Sequence, residues 1–174
     1  MGGWRQNLTV GFTRDLTSGV SNFGTVLAEV RHYRQPLRGL VLAMRADAQG
    51  SFGPDAQNVY LGGPTRLRVP DYQAMSGQRA VTGNLEARFP LLRGLTLGVP
   101  GPWQVPPLGG AIYADGARTW APGFTQELGL VGWAVYLGGG VMPALRWNWS
   151  WVSTDFQHFQ SAIPQHYFSI AYNF

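Results

Sequence analysis

Read back from the C-terminus, Phe174, Tyr172, Ile170 and Phe168 fall on one face of an extended strand, and Asn173, Ala171 and Ser169 fall on the other. Successive side chains of a strand point to opposite sides. Aromatic and aliphatic residues at period two therefore ask for a sheet with one apolar and one polar face. Chain ends usually fray into water unless they are tied down. A bacterial transmembrane β-barrel gives a reason to end on an aromatic residue, because its last strand must pair to close the sheet. An ordinary amphipathic edge strand shows the same alternation, so the rest of the chain has to decide.

Composition favours the barrel. The chain has 174 residues, and we expect one domain over 1–174. Only 13% of residues are charged, about half the share usual in soluble domains. Aromatics reach 13%, with seven Trp, yet no apolar run approaches the ~20 residues of a membrane helix. This combination suits strands whose apolar sides form a band against lipid. The absence of Cys rules out disulfides and thiolate metal sites. Lys is also absent, and the net charge of +4 is scattered. It forms no basic patch of the kind nucleic acids require, so no nucleic-acid partner is expected. Arg in a barrel interior or against lipid headgroups explains it more simply. Met1-Gly2-Gly3 leads straight into Trp4, with neither the charged n-region nor the apolar core of a secretory signal. An outer-membrane protein must cross the inner membrane. The expectation is then a mature form, one with an added Met, or a piece of a longer chain.

Eight segments of alternating polarity lie between turn-rich stretches. Trp4 to Arg14 sets Leu8, Val10 and Phe12 against Asn7, Thr9 and Thr13. Thr25 to Tyr33 sets Val26, Ala28 and Val30 against Leu27, Glu29 and Arg31. Leu40 to Ala48 places Leu42, Met44 and Ala46 outward and Arg45 and Asp47 inward. Ala80 to Phe89 puts Val81, Leu85 and Phe89 out and Thr82, Asn84, Glu86 and Arg88 in. Ala111 to Trp120 follows. Leu128 to Leu137 is mostly apolar, and its facing is open. Leu145, Trp147, Trp149 and Trp151 oppose Arg146, Asn148 and Ser150, and Tyr167 to Phe174 closes the series. Each segment is near the 9–11 residues of a tilted membrane strand. The spacing predicts an all-β, antiparallel transmembrane β-barrel, with the alternative of a soluble sandwich or lipocalin-like barrel. Leu145, Trp147, Trp149, Trp151, Phe168, Ile170, Tyr172 and Phe174 are expected to face lipid, with Ile170 near the midplane. With Phe174 on the periplasmic side, stretches 15–22, 49–79, 121–127 and 153–166 are expected outside the cell, and 34–39, 90–110 and 138–144 in the periplasm.

Three motifs stand in order ahead of that terminus. The first is Leu61-Gly62-Gly63-Pro64-Thr65-Arg66-Leu67-Arg68, followed by Ser76-Gly77-Gln78-Arg79. The second is Gly83-Asn84-Leu85-Glu86-Ala87-Arg88-Phe89-Pro90-Leu91. The third is Ala111-Ile112-Tyr113-Ala114-Asp115-Gly116-Ala117-Arg118-Thr119-Trp120. Together they resemble the C-terminal half of the bacterial surface antigen family. That superfamily holds the outer-membrane barrel-assembly insertase and the two-partner secretion translocators, sixteen-stranded barrels usually preceded by POTRA modules. We expect no POTRA module within 1–174. The resemblance implies that the long loop folds into the lumen and presents an Arg, for which Arg68 is the candidate. It also implies that Glu86 and Asp115 receive that Arg. Val69 stands where the family has Gly, with Pro70-Asp71-Tyr72 after it, so a Gly-only backbone is denied at that position. The resemblance further makes Phe168, Ile170, Tyr172 and Phe174 a C-terminal signal for barrel assembly machinery.

Two readings of the trio stay open. One is a lumen cluster of Arg68, Glu86 and Asp115. The other pairs each carboxylate with a nearby inward Arg, taken as Arg45, Arg88, Arg118 or Arg146. The choice follows barrel width, because an eight-stranded barrel is just filled by its own side chains and has no room for a long loop. The chain forms either a closed eight-stranded barrel or half of a sixteen-stranded one. The latter needs a second half-barrel as partner.

Catalysis finds little support, and we expect no enzyme. His32, His158 and His166 lack a third metal ligand at a recognisable spacing. Ser76 and Ser161 lack a nucleophile elbow. Gly138-Gly139-Gly140 has no Lys and no following helix, so it is no phosphate loop and reads as a tight hairpin. No metal or cofactor is expected. The expected partners are the lipid bilayer, lipopolysaccharide or another outer-leaflet lipid, and the assembly machinery. The expected role is structural or transport-related, at the bacterial outer membrane. The alternatives are an outer-membrane lipid-modifying enzyme or a small ligand-binding barrel.

Overall fold

The computed structural model describes residues 2–14, 16, 21–64, 66–92, 95–96, 104–138, 144–156 and 160–171. Among them there is no helix. The strands are β1 (Gly2–Arg14), β2 (Asn22–Leu37), β3 (Leu40–Phe52), β4 (Val59–Leu61), β5 (Met75–Gly77), β6 (Arg79–Leu92), β7 (Leu95–Thr96), β8 (Gln104–Val105), β9 (Leu108–Ala121), β10 (Phe124–Leu137), β11 (Ala144–Ser153) and β12 (Gln160–Ala171). Eight of these build one antiparallel sheet in the order β1-β2-β3-β6-β9-β10-β11-β12. The two remaining pairs, β4–β5 and β7–β8, are short hairpins inserted in the connections before β6 and β9.

The strands outrun their sequence-predicted bounds. Arg34 to Leu37 belong to β2, and the chain reverses at Arg38–Gly39, where Gly39 takes φ 92°. Phe124 to Glu127 belong to β10 rather than to a loop. That reversal is only Pro122–Gly123, in which Pro fixes a negative φ and Gly supplies φ 87°. Phe124 to Glu127 pair across to Ala121 to Arg118, whereas at the β2 end Arg34 and Leu37 pair with Leu42 and Leu40 around an irregularity at Gln35 and Pro36. Gly138 takes φ 98°, and the rest of the hairpin expected at Gly138-Gly139-Gly140 lies outside the described residues.

The expected closure of eight strands into a barrel is not seen. β1 and β12 stand at opposite ends of the strand order, and no register joins them among the described residues. β1 is accordingly exposed along nearly its whole length.

The sheet has an inner and an outer face, and burial alternates sharply along β6 and β9. The hydrophobic core lies between the inner face and the 53–78 segment, which folds back across it. Leu61, Leu67, Val69 and Met75 come from the segment, and Ala80, Ala111, Tyr113, Ala117, Leu130 and Ala134 from the sheet. Small Ala side chains on the wall leave depth for the larger ones on the segment. Complete burial of Leu61 and Leu67 contributes roughly 1.5–3 kcal/mol each. The open question of β10 resolves here: Leu130 and Ala134 point in, Val131, Trp133 and Leu137 out.

Candidate functional site

The 53–78 segment ends in a compact knot that carries Arg68. The β4–β5 hairpin forms its base. Gly63 and Val69 form an antiparallel bridge, and the Gly63 N–H donates to the Asp71 carbonyl at 2.9 Å. Gly62 and Gly63 both take positive φ. A Cβ on Gly62 would collide with the Asp71 carbonyl, and one on Gly63 with the Tyr72 ring. At the position where the sequence withholds Gly, Val69 is buried in the core, and the left-handed residue is Arg68 itself, at φ 47°. That conformation costs an L-residue about 1–2 kcal/mol. The ion pairs Arg68 makes there offset it.

Arg68 points between β6 and β9. Its Nη1 donates to Asp115 Oδ1 at 2.9 Å, and its Nη2 donates to Glu86 Oε2. The structure thus brings the three sequence-singled residues together. Arg88 and Arg146, offered by the second sequence reading, join the same cluster, and Tyr113, which sequence reasoning did not single out, is added to it. Arg88 Nε and Arg146 Nη1 each donate to Glu86 Oε1 at 2.9 Å. The guanidinium of Arg68 lies 4.4 Å from the centroid of the Tyr113 ring, and Tyr113 Oη donates to the Trp149 carbonyl at 3.1 Å. Glu86 and Tyr113 are direct cross-strand partners, so period two alone makes Tyr113 an inward neighbour. Asn84 Nδ2 holds the Arg66 carbonyl at 2.7 Å and so fixes the knot beside the cluster.

The Glu86 and Asp115 side chains are 2% and 0% exposed. Buried carboxylates survive only when paired and hydrogen-bonded. The Arg68 fork reaches both acids at once, and Arg88 and Arg146 add two further donors to Glu86 alone. The two sequence readings prove not to exclude each other, because Glu86 takes Arg68 together with Arg88 and Arg146. Arg45 instead joins Glu29 and Asp47 further along the inner face. Arg118 is not inward at all. Three positions from inward Asp115, it points out and pairs with Glu127.

The outer face is different in kind. Exposed there are Trp4, Leu8, Val10 and Phe12 on β1, Met44 on β3, Leu85 on β6, Ile112 on β9, Val131 and Trp133 on β10, Leu145 and Trp147 on β11, and Phe168 and Ile170 on β12. Trp149 and Trp151 are half-buried on the same face. Trp149 is covered by lateral stacking, with Trp133–Trp149 at 3.8 Å and Trp147–Trp149 at 4.1 Å, and Trp147 stacks on Phe168 at 4.8 Å. Tyr172 and Phe174 lie outside the described residues, as does His158. Among the described residues, outward charges occur only at the rims: Arg14, Arg79, Arg118 and Glu127 at one, Arg34 at the other. Every described charge between the rims points inward, namely Arg5, Glu29, Arg31, Arg45, Asp47, Glu86, Arg88, Asp115 and Arg146. No group of three metal-ligating side chains occurs among the described residues.

Comparison with protein-family models, curated proteins and solved structures found no match to this chain. The likeness to the surface antigen family rests on the three motifs.

Proposed function

We propose that this chain forms the wall of a bacterial outer-membrane β-barrel, in which the 53–78 segment occupies the lumen and is locked to the wall by Arg68. The observation that carries this reading is the outer face, apolar and aromatic across all eight strands and, among the described residues, free of charge between its rims. Water gives such a surface no reason to exist on this scale. A bilayer does, and stacked Trp suit its interface.

The wall belongs to a barrel wider than eight strands. A closed eight-stranded barrel is filled by its own side chains, whereas here four wholly or nearly buried residues of an inserted segment share the interior. The edges at β1 and β12 run antiparallel to one another, so β1 of one half matches β12 of another. Two such halves give sixteen strands. A wide barrel with a docked internal segment suits assembly or translocation of polypeptide in the outer membrane, the role the family resemblance implies. Docked, the segment covers Asn84, Glu86, Tyr113 and Asp115 on the wall and narrows the lumen; released, it uncovers them.

The test is extraction and native mass. The protein should require detergent, change its gel migration on heating, and give a mass in detergent that corresponds to sixteen strands. Solubility without detergent would end the membrane reading, and a monodisperse particle of one chain would end the wide-barrel reading.

A further inference from the structure

We infer that the outer face carries, at the rim bearing the Pro122–Gly123 turn, a binding site for the phosphate of an anionic lipid headgroup, built from Arg79 and Trp120 with Arg118 beside them. This inference rests on the membrane reading above and adds to it a named site.

Arg79 begins β6 and pairs directly with Trp120 near the end of β9. Directly opposed residues share one face of a sheet and lie within side-chain reach, so both project outward. On the other flank Arg79 pairs with Gly50 of β3. Its aliphatic stem lies over that glycine, 3.9 Å from where a Cβ would stand. Gly50 therefore lets the Arg79 stem rest on the wall while the guanidinium stays at the rim. Arg118, two positions before Trp120 on the same strand and face, sets its guanidinium 5.5 Å from the Trp120 ring. Arg118 is engaged by Glu127 at 3.1 Å. Arg79 has no ion-pair partner among the described residues, and its charge is available to a ligand.

Between Arg79 and Trp120 is a cavity of about 260 Å³, lined by Gln78, Arg79, Trp120, Ala121 and Pro122. A water takes roughly 30 Å³ of liquid volume, so the cavity accepts a phosphate with part of its ester. Its lining suits that group. Guanidinium grips phosphate by paired donors, and an indole ring at the interface offers an apolar face with a polar tip. What lies below the cavity decides for a lipid over a free ion. Val81, Leu85, Ile112 and Val131 are exposed on the adjoining wall. A ligand held by its phosphate at Arg79 therefore has an apolar surface for its acyl chains.

The experiment is native mass spectrometry of the detergent-solubilised protein titrated with phosphatidylglycerol or with phosphatidylcholine, alongside Arg79→Gln, Trp120→Leu and the opposite-rim variant Arg34→Gln. The site predicts one phosphatidylglycerol retained more tightly than phosphatidylcholine. It predicts about tenfold weaker retention in Arg79→Gln, the effect of one lost charge-assisted contact. Trp120→Leu should also weaken retention, and Arg34→Gln should match the parent. Millimolar inorganic phosphate should leave the bound lipid in place; displacement by phosphate alone would overturn the lipid assignment in favour of a simple anion site. Equal retention by Arg79→Gln and the parent, in protein that still shows a heat-dependent gel shift, overturns the site and leaves the membrane reading standing. Loss of that gel shift in the parent overturns both.

Discussion

Arg68 and Asp115 are 47 positions apart in sequence, and the Arg68 Nη1 donates to Asp115 Oδ1 at 2.9 Å. A single hydrogen bond thus ties the tip of the 53–78 segment to β9 at the middle of the sheet. Arg68→Ala leaves Asp115 buried and without its cation. Removing one partner of a buried pair typically costs about 3–5 kcal/mol. Glu86 keeps Arg88 and Arg146, so the loss should come mainly from the Asp115 side. Asp115→Asn in the same chain should then recover part of the loss. Urea unfolding of the detergent-folded protein, run as a cycle over Arg68→Met and Asp115→Asn, checks this. Additive losses would mean that the pair holds nothing together.

Substitutions to Arg on the outer face should cost according to depth. Leu85 pairs with Ala114 halfway along β6 and β9, and Leu85→Arg should cost about 2–4 kcal/mol in a bilayer. Ile170 pairs with Leu145, which pairs with Leu137 at the end of β10. The register puts Ile170 at the rim, not at the midplane as sequence counting suggests. Ile170→Arg should therefore cost only about 0–1 kcal/mol. Unfolding measured in lipid vesicles separates the two. Equal tolerance of Arg at both positions would contradict a bilayer around this face.

The outer wall was legible in the sequence because period two survives wherever one face meets an apolar environment. Met44, Leu85 and Trp147 could be assigned a side by parity alone. The same rule failed at Leu128 to Leu137, where apolar residues line both faces and only packing against the 53–78 segment picks out Leu130 and Ala134. Arg68, Glu86 and Asp115 were singled out by resemblance, and parity put Glu86 inward. Arg146 was less legible as a member of the cluster. It sits on β11, three strands from Glu86 in the sheet order, and no sequence spacing encodes that reach. Gly62 and Gly63 were visible as motif letters, yet their role is a close backbone approach to Asp71 and Tyr72, which only coordinates display.

The segment's two sides should differ in chemical access. The chain has no Cys, so an introduced thiol reports one position. Tyr72 is 68% exposed and Leu67 is 0% exposed. Tyr72→Cys should react with a membrane-impermeant maleimide on intact cells, whereas Leu67→Cys should react only after denaturation. Arg38→Cys, in the turn at the other rim, should stay unlabelled on intact cells and react once they are broken. Labelling of Arg38→Cys but not Tyr72→Cys on intact cells would invert the topology.

Gly62→Ala should loosen the knot that presents Arg68. Its positive φ is unfavourable for Ala, and the added methyl meets the Asp71 carbonyl oxygen, a backbone atom that cannot swing aside. Gly83 makes the comparison. It lies on β6 with nothing within 4 Å of an added Cβ, so Gly83→Ala should be neutral or stabilise by about 0.5–1 kcal/mol. The readout is the buried thiol. In the double variant Gly62→Ala with Leu67→Cys, the maleimide should react without denaturant, because displacement of the knot uncovers residue 67. In Gly83→Ala with Leu67→Cys it should not. If residue 67 stays protected in both, the knot is held by the Arg68 ion pairs and its own core contacts, and the glycine pair is dispensable to the lock.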